Sequence, residues 1–140
     1  MRPLRPHNPS SLKIALFAQK IKAGFPSPAD SYTEKSLDLN DLAIRNPAAT
    51  FFLQVSGSSM LGAGIFDRDY LVVDRSLQAK AEDIVVAEIN GDFTLKRLVF
   101  RLGRPVLQAE NPEFPDIECA DPSELRIFGV VRGVFRNLKP

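Results

Sequence analysis

A chain of 140 residues, 44% hydrophobic and 25% charged, is sized for one domain with a real core. A net charge of +1 offers nucleic acid no bulk attraction, and no apolar run approaches a bilayer span. One cysteine, Cys119, and one histidine, His7, exclude an internal disulfide and a cysteine–histidine zinc set, so no metal or cofactor is expected and a reducing cytoplasm is.

Residues 1–11 hold Pro3, Pro6 and Pro9 and little that could be buried, which predicts a mobile tail. Charge near the start is not followed by an apolar h-region, because Lys13, Gln19, Lys20 and Lys22 interrupt it, so no signal peptide is expected. Ser10 or Ser11 is placed to cap a short helix over Leu12 to Lys22. The stripe of Leu12, Ala15, Leu16 and Gln19 is a poor one, and an extended segment is an equal reading. In Ala23-Gly24-Phe25-Pro26-Ser27-Pro28-Ala29 the prolines forbid a helix and keep the backbone extended. The small residues at 23 and 24 leave their peptide bond bare, which reads either as a linker or as a bond open to a protease. Leu37 to Asn40 is alternating or turn-like, and Asp41 to Ile44 leads to a break at Asn46-Pro47.

From Thr50 onward β signals accumulate. Strands are expected over Phe51–Val55, Tyr70–Val73, Asp83–Ile89, Phe93–Phe100, Val106–Gln108 and Ile127–Phe135. Asn90-Gly91 between two β-rich runs predicts a type I′ hairpin. A turn is expected at Gly103-Arg104-Pro105 and a loop at Asn111-Pro112 and Phe114-Pro115. Many short strands with turn chemistry between them make a mainly β domain, with no repeats and no second domain.

One stretch offers chemistry. Ser56-Gly57-Ser58-Ser59-Met60 follows an apolar run and precedes Leu61-Gly62-Ala63-Gly64. Such residues after a strand usually make only a turn, but a serine there can also present its hydroxyl to a cleft. If Ser59 is a nucleophile it needs a base, and His7 lies in the proline-rich tail, so a serine–histidine–aspartate triad is not expected. A neutral lysine is the alternative, and it requires a lowered pKa. Of the seven lysines, Lys13, Lys20, Lys22, Lys35, Lys80 and Lys139 lie in segments that read as exposed or loop-like. Lys96 stands in a strand, where alternation puts Thr94, Lys96, Leu98 and Phe100 on one face and Phe93, Leu95, Arg97 and Val99 on the other. Both faces are mostly apolar, so the pattern does not say whether Lys96 or Arg97 turns inward; only lysine could be a base. Composition alone favours a lysine that snorkels to water.

Ala23-Gly24, Ser56-Gly57-Ser58-Ser59-Met60, Asp67-Arg68-Asp69-Tyr70-Leu71-Val72-Val73-Asp74, Gly91-Asp92-Phe93-Thr94-Leu95-Lys96-Arg97-Leu98 and Phe128-Gly129-Val130-Val131 stand in one order. Together they resemble the LexA/UmuD family of self-cleaving serine peptidases over residues 23 to 135, and the UmuD branch in particular. The resemblance implies a compact LexA-like peptidase domain with an extended, mobile N-terminal arm. It implies Ser59 as nucleophile, Lys96 as general base, the N–H groups of Ser58 and Ser59 as oxyanion donors and the Ala23–Gly24 bond as the self-cleavage site. Residues 1–23 would be the arm removed, 24–49 an extended linker and 50–140 the peptidase and dimerisation domain. The partners implied are a second copy in a homodimer, a RecA filament on single-stranded DNA that stimulates cleavage in the SOS response, and a UmuC-type translesion polymerase served by the trimmed form. Only 23 residues precede the expected cut, too few for a helix-turn-helix, so sequence-specific DNA binding is not expected, nor is a membrane partner. Three other readings stand beside this one: a non-catalytic polymerase-binding module, a signal-peptidase-like enzyme, which should carry an anchor, and a truncated LexA-like repressor.

Overall fold

The computed structural model describes residues 11–17, 20–26 and 34–140. The chain divides into two compact units, one spanning Asn8–Arg45 and one whose described part is Asn46–Pro140. Most of the proline-rich tail, His7 included, lies outside the described residues.

In the first unit β1 (Ile14–Phe17) pairs antiparallel with β2 (Glu34–Leu37), with Ile14 opposite Leu37. The helical reading of Leu12–Lys22 is therefore corrected: over Ile14–Phe17 its extended alternative forms. Leu12, Ile14 and Leu16 follow a period of two rather than 3.6, and β2 takes up the backbone bonds a helix would have made internally. The short helix α1 (Leu39–Ala43) occupies what reads in sequence as a turn-like stretch. Asp38 explains it. Its carboxylate caps the helix by accepting from Asn40 N at 2.9 Å, and also accepts from Leu12 N at 3.0 Å.

The second unit is built on a sheet of seven strands: β3 (Thr50–Gln54), β4 (Tyr70–Asp74), β5 (Ile84–Ile89), β6 (Asp92–Arg101), β7 (Arg104–Gln108), β8 (Ile117–Glu118) and β9 (Leu125–Phe135). Their spatial order is β3-β4-β9-β5-β6-β7-β8, antiparallel throughout, so the last strand runs through the middle of the sheet. The mainly β expectation holds. β8 is an addition to it, and the expected turn at Gly103-Arg104-Pro105 falls one residue earlier, at Leu102-Gly103, with Arg104 and Pro105 already in β7.

Asn90 and Gly91 take φ of 51° and 87° and join Ile89 to Asp92 as a two-residue hairpin, as type I′ requires. That turn fixes the register of β5 on β6 and sets Lys96 opposite Val85. The sheet buries both faces. Val86 packs with Leu53, Met60, Ile65, Leu71 and Val73, while its neighbours Val85 and Ala87 pack with Leu98, Leu107 and Val130 on the other side. This is why β5 reads as a continuous apolar run rather than an alternating one.

Asp74, fully buried at the end of β4, accepts from Asn46 Nδ2 at 2.8 Å, Ser76 N at 2.8 Å and Ser76 Oγ at 2.6 Å. Burial pushes its carboxyl up, but these hydrogen bonds outweigh burial and hold it below the usual carboxylate range. Asn46, the first described residue of this unit, is thereby tied to the sheet. Among the described residues no helix is long and apolar enough to cross a membrane.

Candidate active site

β3 ends at Gln54, and the chain turns through Val55–Ser58 to reach Ser59. Two anchors hold this turn from below. Val55 exchanges backbone bonds with the 68–69 segment, donating to Asp69 O at 2.7 Å and accepting from Arg68 N at 2.8 Å, and Gly57 N donates to Asp67 Oδ1 at 2.8 Å. Met60, 2% exposed, drops into the core beside Leu53 and Leu71. A side chain so placed is worth about 2 kcal/mol of burial, and it leaves its neighbour Ser59 at the surface of the core, half-buried.

Lys96 reaches Ser59 from β6, 37 residues away: its Nζ stands 3.1 Å from Ser59 Oγ. It also donates to Thr94 Oγ1 at 2.9 Å and to the carbonyl of Leu95 at 3.0 Å. These three acceptors are neutral, and the lysine is only 7% exposed. Burial in this environment disfavours the ammonium and lowers its pKa below the ordinary 10.5. The other six lysines are exposed, as their segments led one to expect. Three acceptors suit an ammonium with three N–H bonds. Once one proton leaves, the amine keeps two donors and gains a lone pair, and the Ser59 hydroxyl can then donate to it.

The choice between Lys96 and Arg97, open in the sequence, is settled by where each side chain ends. Arg97 turns to the opposite face and pairs with Glu110, its Nη1 also donating to Glu82 O at 2.6 Å. Beside the pair of Ser59 and Lys96 runs a cleft of about 360 Å³, with apolar walls from Leu53, Leu71, Val86, Phe93 and Leu95 and with Phe114 exposed along it.

Ala23 and Gly24 belong to the first unit, where they lie in an exposed bend over residues 23–25 flanked by Ile21 at 96% exposure and Phe25 at 92%. Thr94, Glu110 and Asn111 escape the sequence reading of the site. Thr94 carries a signal, since it stands two residues before Lys96 on one strand face. Asn111 carries none: it donates to Ser58 O at 2.9 Å across 53 residues of sequence.

A family model described as Peptidase S24-like matches residues 15–132. The chain is 47% identical to Protein ImpA of Salmonella typhimurium over 140 residues, 99% of this chain and 94% of that protein. It is 49% identical to Protein MucA of Escherichia coli over 120 residues, 84% of this chain and 81% of that one. To a LexA repressor of Verrucomicrobium spinosum the identity is 40% over 118 residues, 83% of this chain and 57% of the repressor. The chain thus belongs to the Peptidase S24-like family, as an SOS-related, UmuD-like member of the LexA/UmuD self-cleaving serine peptidases.

Proposed function

We propose that Ser59 is the nucleophile and Lys96 the general base of a reaction that cuts the Ala23–Gly24 bond of this protein's own sequence. The observation that carries the reading is the 3.1 Å approach of a buried, otherwise neutrally solvated lysine amine to the Ser59 hydroxyl. Neutral Lys96 takes the proton from Ser59 Oγ as the oxygen attacks the carbonyl carbon of Ala23. The N–H groups of Ser58 and Ser59 hold the developing oxyanion, each donor worth about 3 kcal/mol. Lys96 returns the proton to the nitrogen of Gly24, the C–N bond breaks, and water then hydrolyses the ester on Ser59. The products are residues 1–23 and 24–140, with 24–49 left as a linker to the 50–140 domain.

Because the substrate is a segment of the protein itself, effective concentration takes the place of a tight substrate site, and control lies in whether the segment enters the cleft. The exposed bend at Ala23–Gly24 supports its availability. In this reading the protein is a cytoplasmic homodimer, a RecA filament on single-stranded DNA promotes the cleavable state, and the trimmed form serves a UmuC-type translesion polymerase; the likeness to ImpA and MucA supports an SOS-related role.

Mass spectrometry of the purified protein, incubated from neutral to alkaline pH with and without RecA filaments, tests the reading. The expected result is fragments ending at Ala23 and beginning at Gly24, absent in Ser59→Ala and Lys96→Ala. An uncut wild-type chain under every condition would leave a binding module without peptidase activity.

A further inference from the structure

The nucleophile's backbone is gripped from a segment that contributes no reacting group. Asn111 Nδ2 donates to the carbonyl of Ser58 at 2.9 Å, and the N–H of Glu110 donates to the carbonyl of Ser59 at 2.8 Å. These two carbonyls belong to the peptide planes on either side of the Ser59 Cα. A peptide plane is rigid, so holding both planes fixes the two soft dihedrals of Ser59 and with them the direction of its Cα–Cβ bond. In a trans peptide the N–H points opposite to the C=O. Asn111, by holding the Ser58 carbonyl, therefore aims the Ser59 N–H the other way.

The gripping segment is itself held. Glu110 O accepts from Gly62 N at 2.7 Å, its carboxylate pairs with Arg97, and Asn111 Oδ1 accepts from Glu113 N at 3.0 Å. Adjacent residues of β6 thus control one serine from two sides: Lys96 meets its hydroxyl directly, and Arg97 reaches its main chain through Glu110.

We propose that Asn111 and Glu110 are positioning residues for the Ser59 reaction, fixing the hydroxyl against Lys96 and aiming the Ser59 N–H at the oxyanion. The proposal rests on Ser59 and Lys96 being the reacting pair. Asn111→Ser is the sharpest test, because a hydroxyl keeps an acceptor for Glu113 N, is too short to donate to Ser58 O and adds no charge beside Lys96. The measurement is the rate of intrinsic self-cleavage against pH, followed by mass spectrometry, with thermal unfolding alongside. Asn111→Ser is expected to lower the alkaline plateau about a hundredfold, the scale set by a small misplacement of reacting groups, with the midpoint of the profile unmoved. Arg97→Ala, which frees Glu110, lowers the plateau in the same way. A loosened site would instead rehydrate Lys96 and move the midpoint up toward 10.5.

Wild-type plateau and midpoint in both variants would overturn the proposal, and so would a raised midpoint with an unchanged plateau. If Asn111→Ser does not fold, Asn111→Ala is read by the same two quantities. An uncut wild type, or cleavage that persists in Ser59→Ala, removes the dyad itself and the positioning role with it; cleavage lost in Ser59→Ala but unaffected in the Asn111 variants removes only the positioning role.

Discussion

Thr94 Oγ1 and Lys96 Nζ meet at 2.9 Å because residues two apart on a strand share a face. The threonine oxygen stabilises the ammonium, while burial opposes it, so the two set the pH at which the amine becomes free. Self-cleavage should rise with pH and reach half its plateau below 10.5, because the Lys96 pKa is lowered and only the neutral amine accepts the Ser59 proton. A rate that falls through the alkaline range would contradict the lysine's role.

Thr94→Val keeps the shape and removes one acceptor from the charged form. Its pH–rate midpoint should move down, because one hydrogen bond to the charged form is lost and only partly replaced by water. The plateau should fall as well, since Lys96 loses a fixed contact. An upward shift of the midpoint would mean that Thr94 does not favour the ammonium.

Gly62 approaches Glu110 so closely that a Cβ on it would lie 2.7 Å from the Glu110 carbonyl oxygen. The obstacle is backbone and cannot swing aside. Gly62→Ala should therefore separate the 59–62 turn from the 110–111 segment and slow self-cleavage by at least about tenfold, a fraction of what a 1 Å displacement costs. Amide hydrogen exchange at Gly62 and Glu110, whose N–H groups bridge the two segments, should accelerate in the same variant.

Met60→Ala would leave a cavity among Leu53, Ile65 and Leu71 and cost roughly 2–4 kcal/mol of stability by chemical denaturation. Because Met60 anchors the residue next to it, the self-cleavage rate should fall more than the loss of folded protein accounts for. Equal losses would assign Met60 to the core alone.

Asp69 is 1% exposed and receives the Arg136 guanidinium on both oxygens as well as Phe66 N. The Arg136 hydrogen bond, against the opposing effect of burial, holds its carboxyl below the ordinary 3.8. A depressed carboxyl stabilises the fold above its unfolded value and loses that contribution as pH falls through the folded one, so the window lies below about pH 3.8. Asp69→Asn should lower the neutral-pH melting temperature by several degrees, on the order of 5 °C, and flatten the acid end of the stability profile.

The sequence by itself determined the main strands from Thr50 onward and the residue types of the candidate site. Runs such as Ile84–Ile89 are too apolar and too short for anything but buried strands, and Asn90-Gly91 specifies its own turn because both residues accept positive φ. If Ser59 is a nucleophile, elimination leaves a neutral lysine as its candidate base, and the order of motifs pointed to the family and, through the resemblance, to Lys96. These are local properties, carried by neighbours in the chain.

Tertiary structure decided the rest. Nothing in Thr94–Leu98 says which face is buried, since both are apolar; the register fixed at Asn90-Gly91 and the seating of Met60 bring Lys96, and not Arg97, to Ser59. Asp38 caps α1 locally through Asn40 N, while its other oxygen receives Leu12 N from 26 residues away, a contact no local pattern shows. The 110–111 segment meets Ser58 and Ser59 because β7 delivers it there, and hydrogen bonds between residues so distant in sequence leave no period or spacing to read.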